Sequence, residues 1–119
     1  MNSRLIHIRI GNQKVIVELD DTPSARDFAG LLPLTLSLED YAATEKIAML
    51  PRKLDTTGAP AGVDPEVGDV AYYAPWGNLA IFHKDFGYSE GLVRLGRVKE
   101  GIELLARKGT VQAHLEFAN

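Results

Sequence analysis

The chain has 119 residues, 45% of them hydrophobic and 24% charged, and no cysteine. That is the profile of one domain around one core, and it excludes disulfide frameworks, thiol nucleophiles and cysteine-based zinc sites. Lys and Arg number 13 against 16 Asp and Glu, a net charge of -3, which lacks the concentrated positive field that general nucleic-acid binding requires.

Between Met1 and Gln13, His7 and Arg9 interrupt the apolar residues. No secretory signal or membrane span is expected there, and the protein reads as cytoplasmic with neither a membrane nor a nucleic-acid partner. Ile6, Ile8 and Ile10 alternate with His7 and Arg9, and Val15, Val17 and Leu19 alternate with Ile16 and Glu18. The two-residue period predicts a β-hairpin over 4–20 with a three-residue loop, Gly11-Asn12-Gln13.

Thr22-Pro23 is a helix start, a capping side chain followed by a residue whose missing N–H is not needed. Ala25, Phe28, Leu31 and Leu32 form its inner face and Pro33 ends it. Leu34, Leu36 and Leu38 alternate as a strand, and 46–50 read as another short one. From Pro51 to Asp69 the composition changes, with three of the six prolines and three of the eleven glycines. So long an irregular stretch is either functional and mobile or a surface Ω-like loop packed by its own residues.

Strands follow over 69–74 and 78–83, joined by a turn at Pro75-Trp76-Gly77, and over 92–98, closely approached at Gly96. Residues 99–108 read as a short helix with Ile102, Leu105 and Ala106 inward and Gly109 as its cap, and Val111 to Phe117 alternate as the closing strand. Strands separated by turns imply a mainly β fold, a closed barrel of about eight mostly antiparallel strands with two short helices in a single domain, 1–119.

Chemistry is sparse. His7, His83 and His114 have no metal-ligand spacing, so no metal or cofactor is expected, and His83, at a strand end beside Lys84 and Asp85, is a candidate for lining a site. Ser89 lies in no nucleophile elbow, and Asp20-Asp21 and Glu39-Asp40 read as caps and turns. The stronger signal is aromatic. Six of the nine aromatics, Tyr72, Tyr73, Trp76, Phe82, Phe86 and Tyr88, fall within seventeen residues. Some of these rings belong to the core, but Trp76 stands in a turn, and with Arg52 it is expected to wall a groove for an apolar ligand or peptide. The ligand-binding candidates are Arg52, Tyr73, Trp76, Phe82 and His83.

Thr22-Pro23-Ser24-Ala25-Arg26-Asp27-Phe28, Leu31-Leu32-Pro33-Leu34, Glu45-Lys46-Ile47-Ala48, Leu50-Pro51-Arg52, the run from Gly68 to Asn78, and Leu95-Gly96-Arg97-Val98 resemble the small prokaryotic cyclophilin-like proteins over nearly the whole chain. The resemblance implies a cyclophilin-type closed barrel with two capping helices. It assigns no activity. True cyclophilins are peptidyl-prolyl isomerases, and the likeness to them puts Arg52 close to their catalytic arginine, a cation that assists rotation about a bond whose uncatalysed barrier is about 18–20 kcal/mol. With Gly96 aligned, Leu92 stands at the position of their active-site histidine. Thr57 to Pro60 replaces their pocket phenylalanine and glutamine, and the proline-pocket phenylalanine maps to Ile81 or Phe82.

The leading reading is therefore a binding module for a small molecule or peptide around Arg52 and Trp76. The alternative is a divergent prolyl isomerase using Arg52 as its catalytic residue. A third reading gives Trp76 and Tyr88 to a homodimer patch in a structural homo-oligomer.

Overall fold

The structure, a computed structural model, describes residues 4–118; Met1 to Ser3 of the N-terminal segment lie outside them. In chain order the elements are β1 (Leu5–Ile10), β2 (Gln13–Leu19), α1 (Pro23–Ala29), β3 (Leu34–Tyr41), β4 (Glu45–Met49), β5 (Gly62–Val63), β6 (Asp69–Tyr73), β7 (Asn78–Phe82), β8 (Ser89–Glu90), β9 (Leu92–Glu100), α2 (Ile102–Ala106) and β10 (Val111–Phe117). Eight strands close into an antiparallel barrel in the order β1-β10-β3-β4-β7-β6-β9-β2, while β5 and β8 pair as a separate ribbon. The expected mainly β, closed eight-stranded barrel with two short helices is the observed one.

The barrel interior follows from the alternation. Ile6, Ile8, Val15, Val17 and Leu19 are buried, and Leu38, Leu79, Ile81, Leu95 and Leu115 meet them from the other strands. The β1–β2 loop is shorter than expected. Ile10 pairs with Gln13, leaving Gly11-Asn12 as a two-residue loop, with φ of 62° at Gly11, the sign a II′ turn needs at its first position. Thr22 caps α1, its Oγ1 accepting from Ala25 N–H at 3.1 Å, and Phe28 is fully buried beneath the helix.

Helix α2 is half the expected length. Strand β9 runs through Glu100, and the helix begins only after Gly101, whose φ is 96°. Leu104 and Leu105 face the core, whereas Ala106, expected inside, is exposed. Gly109 lies beyond the helix end at Arg107 and serves a different contact, described below.

Close approach at Gly96 explains its lack of a side chain. A Cβ there would lie 2.4 Å from Glu18 O and 2.8 Å from Leu19 Cα, both backbone atoms of β2. Gly96→Ala must therefore push two paired strands apart, and it is expected to lower stability by about 3 kcal/mol. A fall in the denaturant midpoint at unchanged slope measures this.

Candidate functional site

Strand β4 is phased against its composition. Lys46 and Ala48 point into the barrel, whereas Glu45 and Ile47 lie on the outer face. The outer face there is not simply solvated. Ala71, Ala80, Phe82 and Leu92 are buried in a second apolar cluster, joined by Ile47, Val63 and Tyr73. Part of its cover comes from Val63 of β5 and from Phe86, whose ring lies 6.5 Å from that of Phe82.

The cover is incomplete and leaves a cleft of about 220 Å³ lined by Tyr41, Glu45, Ile47, Tyr73, Trp76, Asn78, Phe82, Phe86, Ser89 and Leu92. Strand pairing builds it. Glu45 stands opposite Tyr41 on one side and Phe82 on the other, and Asn78 stands opposite Tyr73. Trp76, 54% exposed, meets Tyr41 edge-on at 5.7 Å and 86° and Tyr73 at 5.4 Å and 81°, the perpendicular geometry that aromatic quadrupoles favour. Beyond Trp76 a second depression of about 420 Å³ shares Ile47, Trp76 and Asn78 with the first.

Two polar groups in the cleft are not satisfied by the protein. Glu45 is 9% exposed, and its Oε1 accepts only a long 3.4 Å hydrogen bond from Thr44 Oγ1. Burial among rings pushes its carboxyl up to about 7, only weakly opposed by Thr44. Asn78 is 3% exposed; its Nδ2 donates to Leu79 O at 3.1 Å, but its Oδ1 is buried without a partner. Such groups are uncommon in a folded interior and call for a specific explanation.

The turn that carries Tyr41 and Glu45 is itself strained. Thr44 N–H donates to Tyr41 O at 3.1 Å, and the central residues Ala42 and Ala43 have φ of 54° and 57°, a region that usually takes glycine or asparagine and costs about 1 kcal/mol or more for each alanine.

Of the residues proposed from sequence, Tyr73, Trp76 and Phe82 come together in this cleft. Phe82 rather than Ile81 faces it, since Ile81 belongs to the barrel core. Arg52 does not join them. Its guanidinium is bidentate to Asp27 of α1, with both N–O distances 2.9 Å, and also donates to Lys53 O at 3.2 Å. The Arg52 side chain holds the Asp27 carboxyl below the usual range, helped by Asp55 N–H. Ser24 Oγ donates to Asp55 O at 2.6 Å and Leu54 N–H to Tyr72 Oη at 3.2 Å, so the 51–55 segment is stitched to α1 and to the core instead of walling a groove with Trp76. His83 follows β7 outside the cleft lining, half-buried, its pKa lowered by burial and then by Lys46.

In the sequence, Glu45 stands out only within a stretch of family resemblance, and Asn78 only there and as the first residue of the strand expected at 78–83. Glu45 shares a two-residue period with Ile47, but that signal acquires meaning only once Phe82 and Tyr41 are known to flank it.

The profile of the cyclophilin-like family matches residues 8–116. The chain belongs to the cyclophilin-like family. The solution structure of a hypothetical protein from Archaeoglobus fulgidus has the same fold, with a TM-score of 0.70 at 19% identity, covering 98% of this chain and 96% of that one. No curated protein matches the sequence. Within this cyclophilin-like barrel, Leu92, at the position of the isomerases' histidine, lines the cleft, as does Phe82, one of the two positions, Ile81 and Phe82, between which the resemblance does not choose. Thr57 to Pro60 instead line a separate cavity beside α1. Among the described residues no helix is long and apolar enough to cross a membrane, and no group of three metal-ligating side chains occurs.

Proposed function

We propose that this cyclophilin-like protein is a binding module whose outer-face cleft takes a small molecule or a peptide side chain, without making or breaking bonds in it. The observation that carries the reading is Trp76, a large ring kept more than half exposed at the cleft mouth yet oriented by two other rings. A concave apolar site with a few unspent polar groups is the usual form of a ligand pocket. The adjoining depression offers room for a ligand that continues past Trp76. Arg52 has no part in this reading, because its guanidinium is engaged by Asp27.

Trp76 is the only tryptophan, so its fluorescence reports the site directly in a fragment and peptide screen. Ligands found this way are expected to lose at least about tenfold in affinity on Trp76→Ala, measured by calorimetry, and to bind Arg52→Ala as they bind the parent. Ligands insensitive to Trp76→Ala would remove the cleft from consideration. A concentration-dependent mass abolished by Trp76→Ala would assign the exposed ring to self-association instead.

A further inference from the structure

We propose that the occupant of the cleft is an organic ammonium group on an apolar stem, held by the Glu45 carboxylate and Asn78 Oδ1 with its charge against the faces of the surrounding rings. This rests on the reading of the cleft as a binding site and names the chemical class of its ligand.

The lining contains one acid and no Lys or Arg. The other buried charged side chains of the described residues have opposite charges in contact: Lys46 meets Asp40, and Asp69 meets Arg97. Glu45 has no such partner; its environment is shaped by burial and by the Thr44 hydroxyl alone. An unpaired buried carboxylate is costly in a protein interior, and a cation supplied from outside is the group that offsets this. Asn78 Oδ1 is an acceptor left without a donor, while its Nδ2 donates to Leu79 O. The two unsatisfied groups therefore ask for a ligand rich in donors and positive in charge.

The walls agree. Tyr41, Tyr73, Trp76, Phe82 and Phe86 contribute five rings, and aromatic faces attract alkylammonium ions where water is excluded. An anion would meet the Glu45 carboxylate with no cation to offset it. A divalent metal would need six or more oxygen ligands, or nitrogen and sulfur donors, that this cleft does not hold. A free amine and a lysine side chain of a peptide present the same head group, and the test separates them.

The experiment titrates the full chain, at a pH above 7 where Glu45 is ionised, with phenethylamine and with N-acetyl-lysine amide. Each is paired with a neutral counterpart, phenethyl alcohol and the side-chain-acetylated lysine derivative, and followed by Trp76 fluorescence and by the side-chain amide resonances of Asn78. At least one amine is expected to bind about tenfold or more tightly than its neutral counterpart, and Glu45→Gln to abolish that preference. Preference in the phenethylamine pair alone identifies a free amine, and in the lysine pair alone a peptide side chain. Equal binding of amine and neutral probes, or a preference that survives Glu45→Gln, overturns the ammonium assignment while leaving the cleft a binding site. No response to any of the four probes overturns the assignment and counts against the cleft itself.

Discussion

Lys46→Met is expected to lower the stability of the protein by about 3 kcal/mol. The Lys46 side chain is fully buried inside the barrel, yet its ammonium is completely satisfied: Nζ donates to Asp40 Oδ1 at 2.5 Å, Arg107 O at 2.7 Å and Gly109 O at 2.5 Å. Asp40 Oδ2 in turn accepts from Gly109 N–H at 2.6 Å. One side chain on β4 thus joins the end of β3 to the chain leaving α2. Methionine fills similar volume but leaves two carbonyls and a carboxylate without their donor. Chemical denaturation measures the loss, and Lys46→Met combined with Asp40→Leu should recover part of it, because removing both charges is less damaging than removing one. A single variant as stable as the parent would mean that the buried ammonium does not hold these elements together. The same contact lowers the Asp40 carboxyl, chiefly through Lys46. Its contribution is therefore present above the ordinary aspartate range and fades as pH falls through the depressed value.

Glu45→Gln is expected to do the opposite, raising stability at alkaline pH by about 2 kcal/mol, less than the full electrostatic cost because the cleft mouth admits water. Glu45 titrates near 7 in the folded chain and near 4.3 when unfolded, so the folded state binds the proton more tightly. Stability from this group is complete below about pH 4 and is lost as pH rises through about 7. Glutamine resembles the protonated acid, so the gain should vanish at low pH and appear in full above neutrality. Thermal or denaturant unfolding of both proteins across that range checks it. A variant less stable than the parent at high pH would mean that the carboxylate has a favourable partner in the folded chain. A residue that weakens the fold at neutral pH and above fits the proposed ligand site better than a role in holding the barrel.

The two substitutions also show which part of the molecule was legible beforehand. The β1–β2 hairpin, the Thr22-Pro23 helix start and the close approach at Gly96 were readable because each rests on local geometry: a two-residue period, an unneeded N–H, a missing Cβ. Strand β4 was not. In Lys46-Ile47-Ala48-Met49 the charged Lys46 is fully buried and the apolar Met49 is 64% exposed. The inversion is possible because Lys46 finds three acceptors, two of them 61 and 63 residues away and one nearby, and because Ile47 finds a second apolar layer outside the barrel. Neither is visible in a single strand. Misplacing Arg52 has a similar cause. Its neighbour in sequence is the irregular 51–69 stretch, but its partner is Asp27, 25 residues earlier. Trp76, Tyr73 and Phe82 can be singled out as cleft residues because an aromatic in a turn and a local run of rings are sequence signals; Glu45 and Asn78 cannot, because an ordinary polar residue becomes unusual only when its surroundings leave it unpartnered.

The most direct test is a titration of the Glu45 carboxyl carbon by NMR in the free protein and again with a saturating small ammonium ligand. A midpoint near 7 in the free protein, moving down when the ligand binds, is the result expected of a buried carboxylate waiting for a cation. A midpoint in the ordinary glutamate range that the ligand does not move would contradict the account.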